Sequence, residues 1–280
     1  MQSNAGNVKK AYTHGGIFHA DDVFATALLK ILNPDIQVTR GNQIPEDFQG
    51  TIYDIGGGEF DHHQKDKRIR ENGVPYAAFG LLWEKYGEEI LGKKAAEKFD
   101  TDFVQPLDYS DNTGESNILA QIIADRNTTW KEKEKDSTEE FEKAVEFAKE
   151  ILENRFRQIL AKQEAYDLVR QEALKCNSRI LYLEKSMPWK EAVKGLDILY
   201  VIYTSPRGGY CIQAVPKDEE NSGKALKKPF PSSWCGETEE ELQRITEVST
   251  FRFCHAGGFL SVADTLEDAV KIAELAVKIH

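Results

Sequence analysis

Four of the six histidines in this 280-residue chain lie within the first 63 residues, and aspartates accompany them. Three short segments carry these residues, and they span 13–22, 53–58 and 61–63. Imidazole and carboxylate groups are the side chains that bind divalent transition-metal cations, and a centre that holds two cations needs about this many of them. The clustering therefore predicts a two-metal site in the amino-terminal part of the chain.

The spacing within these segments indicates how the residues would share the ions. His14 and His19 are five residues apart and Asp21 follows two residues later, so a strand-to-helix loop can turn all three toward one point. Asp54, at the end of a predicted strand, could bridge two ions, and His62 would supply an imidazole to one of them. Imidazole among carboxylates favours Mn²⁺, Fe²⁺, Co²⁺ or Zn²⁺ over Mg²⁺. Such a site suits a hydrolase of phosphate esters, because two cations activate a water and neutralise the phosphoryl oxygens.

Each of these residues also has an ordinary structural interpretation. A single His14 is more often a turn or capping residue, and Asp21 or Asp22 could simply cap the helix that follows. Asp54 precedes three glycines and could belong to a turn. The combination favours a metal site, because every one of these elements falls on a loop, where catalytic groups are expected.

Two further features could contact an anionic substrate. His255 is followed closely by Gly257 and Gly258, so its ring and the adjacent N–H groups could hold a phosphate, although a structural histidine is an equal alternative. A basic cluster follows the third segment and could attract an anion, although a solvated loop is the commoner meaning of such a run. It consists of Lys65, Lys67, Arg68 and Arg70.

The elements around the site predict an α/β fold. Strands are predicted over 8–13, 36–39 and 51–55. Apolar residues at helical spacing predict a helix over 20–32, which Pro34 ends. This alternation is typical of a mainly parallel sheet, and ligands bind such sheets beyond the carboxyl ends of the strands. His14 and Asp54 both fall at these ends, which supports the metal site independently.

The remainder of the chain predicts more helices and then a smaller α+β domain. Helices are predicted over 76–91, 95–104, 117–125 and 138–173, and strands over 179–183, 198–204 and 210–215, with a strand that ends in a glycine turn over 251–259. A polar turn is predicted over 108–114. The predicted organisation is a metal-binding catalytic domain over 1–136, a connector helix over 137–176 and the smaller domain over 177–280. The long helix could join domains, form a dimer contact or pack on its own domain.

Composition limits the classes of function. Hydrophobic residues make up 40% of the chain, enough for a folded core, and no apolar run approaches the roughly 20 residues that span a membrane. Four cysteines without CxxC spacing and no secretory signal favour a cytoplasmic protein with reduced thiols. The net charge of −11 disfavours tight binding to long duplexes, because phosphate contacts dominate nucleic-acid affinity.

The motifs of this chain resemble those of the MYG1 family, within the DHH phosphoesterase superfamily. Residues 13–22 are similar to the family motif T-H-x-G-x-F-H-x-D-[DE], residues 54–57 to D-x-G-G, residues 61–64 to D-H-H-Q, and residues 108–112 to D-x-x-D-N. The resemblance spans nearly the whole chain. One departure is His19, because the usual first motif of the superfamily has an aspartate there, and this makes the site less anionic.

The resemblance implies a larger DHH-type α/β domain that carries the metals and a smaller domain that closes over the substrate. The implied metal ligands are His14, His19, Asp21, Asp54 and His62, with Asp108 or Asp111 completing the shell of the second ion. His63 would face the phosphate, and Asp61 would orient the neighbouring imidazole. The smaller domain would contribute His255, Gly257 and Gly258 to substrate binding. The implied cofactor is a pair of Mn²⁺ ions, with Mg²⁺, Co²⁺ or Zn²⁺ as alternatives.

These observations favour a metal-dependent phosphodiesterase, a 3′–5′ exonuclease that acts on RNA or short oligonucleotides. Two alternatives stay open at this point: a small-molecule phosphohydrolase of the pyrophosphatase kind, and a non-catalytic metal-binding scaffold that assembles partners through the 138–173 helix. No membrane partner is expected, and a homodimer is compatible with each of these functions.

Overall fold

The computed structural model of the chain describes residues 9–132, 137–218 and 225–279. It divides into two compact units, the first ending at Leu160 and the second beginning at Ala161. The domain boundary predicted at residue 136 lies outside the described residues. In the part of the chain that the structure describes, no helix is both long and apolar enough to cross a membrane.

The first unit contains a three-stranded parallel sheet with β1 at its centre. The strands are β1 (Lys10–Thr13), β2 (Gln37–Arg40) and β3 (Thr51–Ile52), in the order β2-β1-β3. Both outer strands run parallel to β1, as expected where helices and loops connect successive strands. The α/β class predicted from the sequence is therefore confirmed.

Helix α1 (Ala20–Leu32) packs its apolar side against the core of the first unit. Val23, Phe24 and Leu28 are fully buried, and full burial of each such side chain stabilises the fold by about 1.5–3 kcal/mol. Asp22 Oδ1 accepts a hydrogen bond of 2.9 Å from the backbone N–H of His19. This contact fixes the first turn of the helix, because it satisfies a backbone donor that otherwise has no partner there.

Four further helices follow. They are α2 (Ala78–Leu91), α3 (Lys93–Phe99), α4 (Gln105–Thr113) and α5 (Ile118–Ala124), with a π-helical turn, Asp100–Val104, between α3 and α4. The polar turn predicted over 108–114 is wrong, because most of it forms α4. Pro106 stands in the first turn of α4 and Gly114 ends the helix in a left-handed conformation, so the polar residues between them remain helical.

Helix α6 (Ser137–Lys175) is 39 residues long, which confirms the helix predicted over 138–173. Its first half buries Phe141, Val145 and Leu152 in the core of the first unit. Its last turns contribute Val169 and Ala173 to a core cluster of the second unit. The helix therefore supplies residues to both units.

The second unit contains a five-stranded mixed sheet in the order β4-β5-β6-β8-β7. The strands are β4 (Ile180–Leu183), β5 (Tyr200–Thr204), β6 (Tyr210–Ala214), β7 (Phe251–Cys254) and β8 (Leu260–Ala263). Only β4 and β5 pair in parallel among these strands. Helices α7 (Glu239–Thr246) and α8 (Leu266–Lys278) complete the unit. The prediction for 251–259, a strand that ends in a glycine turn, is confirmed, because β7 ends at Cys254 and the chain then turns at Gly257 and Gly258 into β8.

Candidate metal centre

The register of the parallel sheet brings His14 beside Asp54. Tyr12 of β1 pairs with Ile52 of β3, so two residues further along each strand the chain reaches His14 and Asp54. Parallel strands present their carboxyl ends at the same edge of a sheet. As a result, His14 Nε2 lies 3.1 Å from Asp54 Oδ2.

Asp54 is held in a conformation that non-glycine residues rarely adopt. Its φ angle is +58°, in the left-handed region, which costs about 1–3 kcal/mol and is typical of functional sites. Its backbone N–H donates to Phe60 O at 3.0 Å, which holds this conformation. The buried carboxylate faces two imidazoles, with Oδ2 toward His14 and Oδ1 3.0 Å from His62 Nε2. The carboxylate thus lies between two imidazoles, and its role as a bridge between ions stays a prediction.

The first turn of α1 brings two more carboxylates to the same place. Asp22 Oδ2 lies 3.2 Å from His14 Nε2, and Asp21 Oδ2 lies 3.5 Å from His62 Nε2. Both aspartates are buried. The amino terminus of a helix favours negative charge, which offsets part of the cost of burying two adjacent carboxylates.

Helix α4 supplies a fourth carboxylate, Asp111, whose Oδ2 lies 3.4 Å from His62 Nε2. One residue later on the same helix, Asn112 Oδ1 lies 3.4 Å from His62 Nδ1. The side-chain amide of Asn112 donates to Tyr76 O and Asp108 O, each at 3.0 Å. Because these bonds fix the amide, Asn112 orients the ring of His62 toward the carboxylates.

Three groups of residues place their ligand atoms within 4.8 Å of one another. They are Asp54, His62 and His63; His14, Asp22 and Asp54; and His19, Asp21 and Asp111. Asp54 belongs to two of the groups. The structure therefore brings together six of the residues predicted as ligands, His14, His19, Asp21, Asp54, His62 and Asp111, and it adds Asp22.

Asp108 lies in a different environment. Its Oδ2 is 2.8 Å from Arg70 Nη2, and its Oδ1 accepts a hydrogen bond of 3.1 Å from the backbone N–H of Gly80. A side chain at Gly80 would overlap this carboxylate, so glycine is required for the close approach of α2 and α4. Of the two aspartates between which the sequence could not decide, Asp111 joins the histidine cluster and Asp108 pairs with an arginine.

The cluster holds more negative than positive charge, and the pKa values reflect this. Hydrogen bonds that the ring of His14 donates to the carboxylates of Asp22 and Asp54 raise its pKa to about 11. Burial opposes ionisation of His62, but Asp21 and Asp54 outweigh it and raise its pKa to about 10. Burial and the charge of Asp21 raise the pKa of Asp111 to about 8. The cluster therefore stays partly protonated at pH values well above the usual pKa of a carboxyl group.

The donor set fits divalent cations. Asp21 Oδ1 accepts no hydrogen bond from the described residues, and Asp21 Oδ2 and Asp22 Oδ2 each face only a histidine Nε2 that they share with Asp54. Buried charged oxygens normally have partners, because the cost of leaving them without any is large. Three imidazoles and four carboxylates at this spacing suit Mn²⁺, Fe²⁺, Co²⁺ or Zn²⁺. His14, Asp22 and Asp54 would hold one ion. His62 with Asp21, Asp54 and Asp111 would hold the other, and His19 is grouped with Asp21 and Asp111 on that side.

His63 and Asp61 form a separate pair beside the cluster. Asp61 Oδ1 lies 2.8 Å from His63 Nδ1, and Asp61 also accepts backbone hydrogen bonds from Gly57 and His63. The imidazole side chain of His63 is 63% exposed. With Nδ1 bonded to a carboxylate, the neutral ring carries its lone pair on Nε2. This arrangement suits a group that exchanges a proton with a substrate.

A cavity of about 900 Å³ opens over the cluster. Its wall includes His14, His19, Asp54, His62, His63 and Asp111, and it continues past Ser110 along α4 and α5 to Gln121. This volume lies in the range of pockets for small molecules and cofactors. The cavity therefore has room for a substrate larger than one phosphate group.

The second unit carries the predicted substrate contacts on the turn between β7 and β8. His255 Nδ1 accepts a hydrogen bond of 2.9 Å from Gly257 N–H, and its ring packs against Phe259 with 4.2 Å between ring centroids. Gly258 has a φ of +63°, which the turn requires. These bonds leave Nε2 of His255 for another partner, and its contact with substrate stays a prediction.

Sequence reasoning missed two residues of the centre. Asp22 was interpreted as a helix cap, and it is one, but its second oxygen faces His14. Two adjacent acidic residues in the first turn of a helix indicate that one of them can both cap the helix and bind a metal. A capping contact uses only one carboxylate oxygen and leaves the other for a second partner. Asn112 was part of a predicted turn, so its contact with His62 could not be foreseen.

The fold and the cluster define an α/β protein with a centre suited to divalent metals. The family described as MYG1_exonuc, uncharacterised protein family UPF0160, matches residues 10–277, and the chain belongs to this family. It is 26% identical to the MYG1 exonuclease of Homo sapiens, over 93% of this chain and 84% of the human protein. It is 27% identical to the MYG1 exonuclease of Rattus norvegicus, over 93% and 82%, and 25% identical to the MYG1 protein of Dictyostelium discoideum, over 93% and 94%.

Proposed function

We propose that this protein is a divalent-metal-dependent phosphodiesterase, a 3′–5′ exonuclease that acts on RNA or short oligonucleotides and uses Mn²⁺. The observation that carries the proposal is the convergence of His14, Asp54 and His62 with further buried carboxylates that share these histidines as partners. The names of the mammalian relatives, which identify them as exonucleases, support the choice of nucleic acid as substrate. The net charge of −11 favours short strands over long duplexes.

The residues of the site have distinct parts in this reaction. When bound, the ions supply Lewis-acid chemistry, because they neutralise phosphoryl oxygens and activate water. Hydrolysis forms a new bond from water oxygen to phosphorus and breaks the bond to the ester oxygen, which must take up a proton. His63 lines the cavity, so the lone pair on its Nε2 can take the proton that the attacking water loses and then give it to the ester oxygen, while Asp61 holds the ring in position. Asn112 keeps the ring of His62 oriented toward Asp54.

The direct test compares substrates and variants in one assay. Wild-type protein with Mn²⁺ is incubated with single-stranded RNA labelled at the 5′ end, with dinucleotides and with pyrophosphate. We expect the labelled RNA to shorten progressively from its 3′ end, and we expect Asp54→Asn and His62→Ala to lower the rate by at least about 10³-fold. Asp35→Asn, at an exposed position, is the control and should keep full activity.

Two results would contradict the proposal. Equal turnover by wild type, Asp54→Asn and His62→Ala would mean that the metal centre takes no part in the reaction. Release of phosphate from pyrophosphate at a rate well above that of RNA shortening would favour the phosphohydrolase alternative instead.

A further inference from the structure

The basic cluster that follows the histidine pair separates into three environments in the structure. Arg68 Nη2 pairs with Glu84 at 2.7 Å, on the surface. Arg70 is buried and pairs with Asp100 and Asp108. Lys67 alone among these cations lines the cavity over the metal cluster. No other lysine or arginine within residues 9–132, 137–218 and 225–279 belongs to that lining.

Lys67 contacts one polar side chain at the cavity wall. Its Nζ donates to Asn112 Oδ1 at 3.1 Å. The orientation of Asn112 is fixed, because its Nδ2 donates to two backbone carbonyls, those of Tyr76 and Asp108. An ammonium group has three donors, so two of them are available to a ligand in the cavity.

The ammonium group is linked to the metal cluster through two other side chains. Asn112 Oδ1 stands between Lys67 Nζ and His62 Nδ1, and the imidazole ring of His62 stands between that contact and Asp54. Lys67 is thus separated from Asp54 by one side-chain amide and one imidazole ring. Successive phosphates of a strand are at least about 3.4 Å apart along the helix axis, and further apart in an extended single strand. This separation suits a neighbouring phosphate better than the one undergoing hydrolysis.

We propose that Lys67 binds the phosphate next to the scissile one and selects strands with at least two phosphates over dinucleoside monophosphates. This inference rests on the proposed phosphodiesterase function and adds to it a class of substrate and a specificity residue. The polar wall between α4 and α5, with Ser110 and Gln121, would accommodate the sugar and base that accompany the second phosphate. The rest of the cavity wall is rich in carboxylates, so Lys67 provides its fixed positive charge.

The test uses two substrates and three variants. A trinucleotide contains two phosphodiesters and a dinucleoside monophosphate contains one. For wild type, we expect kcat/KM to be higher for the trinucleotide. We expect Lys67→Met to lower that preference about tenfold and Lys67→Arg to retain most of it. Lys65→Met is the matched control, because Lys65 is exposed two residues away and does not line the cavity.

A binding measurement separates this inference from the proposed activity. Affinity for a fluorescent, non-hydrolysable phosphorothioate trinucleotide is measured with Mn²⁺ at several salt concentrations. Loss of one phosphate contact should reduce the slope of log affinity against log salt by about 0.7 in Lys67→Met and leave it unchanged in Lys65→Met. Equal slopes and equal substrate preference in these two variants would overturn the role of Lys67. If the salt slope depends on Lys67 but the wild-type protein shows no turnover, the role of Lys67 in binding stands and the proposed hydrolysis is rejected.

Discussion

Helix α4 carries two acidic residues, Asp108 and Asp111, into two different clusters. Asp108 has a cation of the protein beside it, because Arg70 Nη2 lies 2.8 Å from its carboxylate. Asp111 joins Asp21, Asp22 and Asp54 at the histidine cluster, where several carboxylates share each of two ring nitrogens, His14 Nε2 and His62 Nε2. A buried carboxylate that pairs with a cationic side chain of the protein has a structural role. A group of carboxylates that the chain leaves partly unpaired requires a cation from outside.

The Arg70 cluster provides the largest expected change in stability. Arg70→Met should lower the free energy of unfolding by about 3–5 kcal/mol, because it leaves Asp108 buried without its partner. Chemical denaturation in a chelator measures this. Arg68→Met is the matched control, since its exposed pair with Glu84 should contribute no more than about 1 kcal/mol. Similar losses in both variants would mean that the buried cluster has no special structural role.

The histidine cluster should respond instead to added metal. Mn²⁺ at a hundred times its dissociation constant should stabilise wild-type protein by about 2.7 kcal/mol, which raises Tm in a thermal scan. Asp54→Asn should lose most of this increase, whereas Arg68→Met should keep it. If Mn²⁺ raised the Tm of Asp54→Asn as much as that of wild type, the ion would bind elsewhere.

Removal of an anion should have opposite effects on protein with and without metal. The pKa of Asp111 is raised to about 8 by burial and by Asp21, so its ionised form destabilises the metal-free fold as pH rises from about 4 to about 8. In a chelator, Asp111→Asn should therefore be more stable than wild type by about 1 kcal/mol at pH 8, with no gain near pH 4. With Mn²⁺ present the variant should be the less stable protein. A loss of stability in the chelator at pH 8 would contradict this assignment of charge.

Sequence patterns were sufficient to predict the positions of residues that directly follow a strand. His14 and Asp54 could be placed because both follow strands of a parallel sheet, and the strand register then sets them together. The choice between Asp108 and Asp111 could not be made, because it depends on where Arg70 lies in three dimensions. The basic cluster had the same difficulty: only packing separates a buried Arg70 from a cavity-lining Lys67.

Helix α4 shows why the local prediction failed. A run of polar residues ending in Gly114 is typical of a turn, but Leu107 and Asp108 are buried and the preceding π-helical turn leads directly into the helix. Tertiary packing against α2, which Gly80 permits, outweighs the local preference. The consequence is functional, since only a helix sets Asp108, Asp111 and Asn112 on neighbouring positions of one face.

The location of the ions tests the central claim most directly. Crystals of Mn²⁺-loaded protein should give anomalous scattering peaks at the metal absorption edge. We predict two peaks that share Asp54, one bonded to His14 and the other to His62. A single set of peaks away from Asp54, for example beside Cys235 and Cys254, would contradict the account.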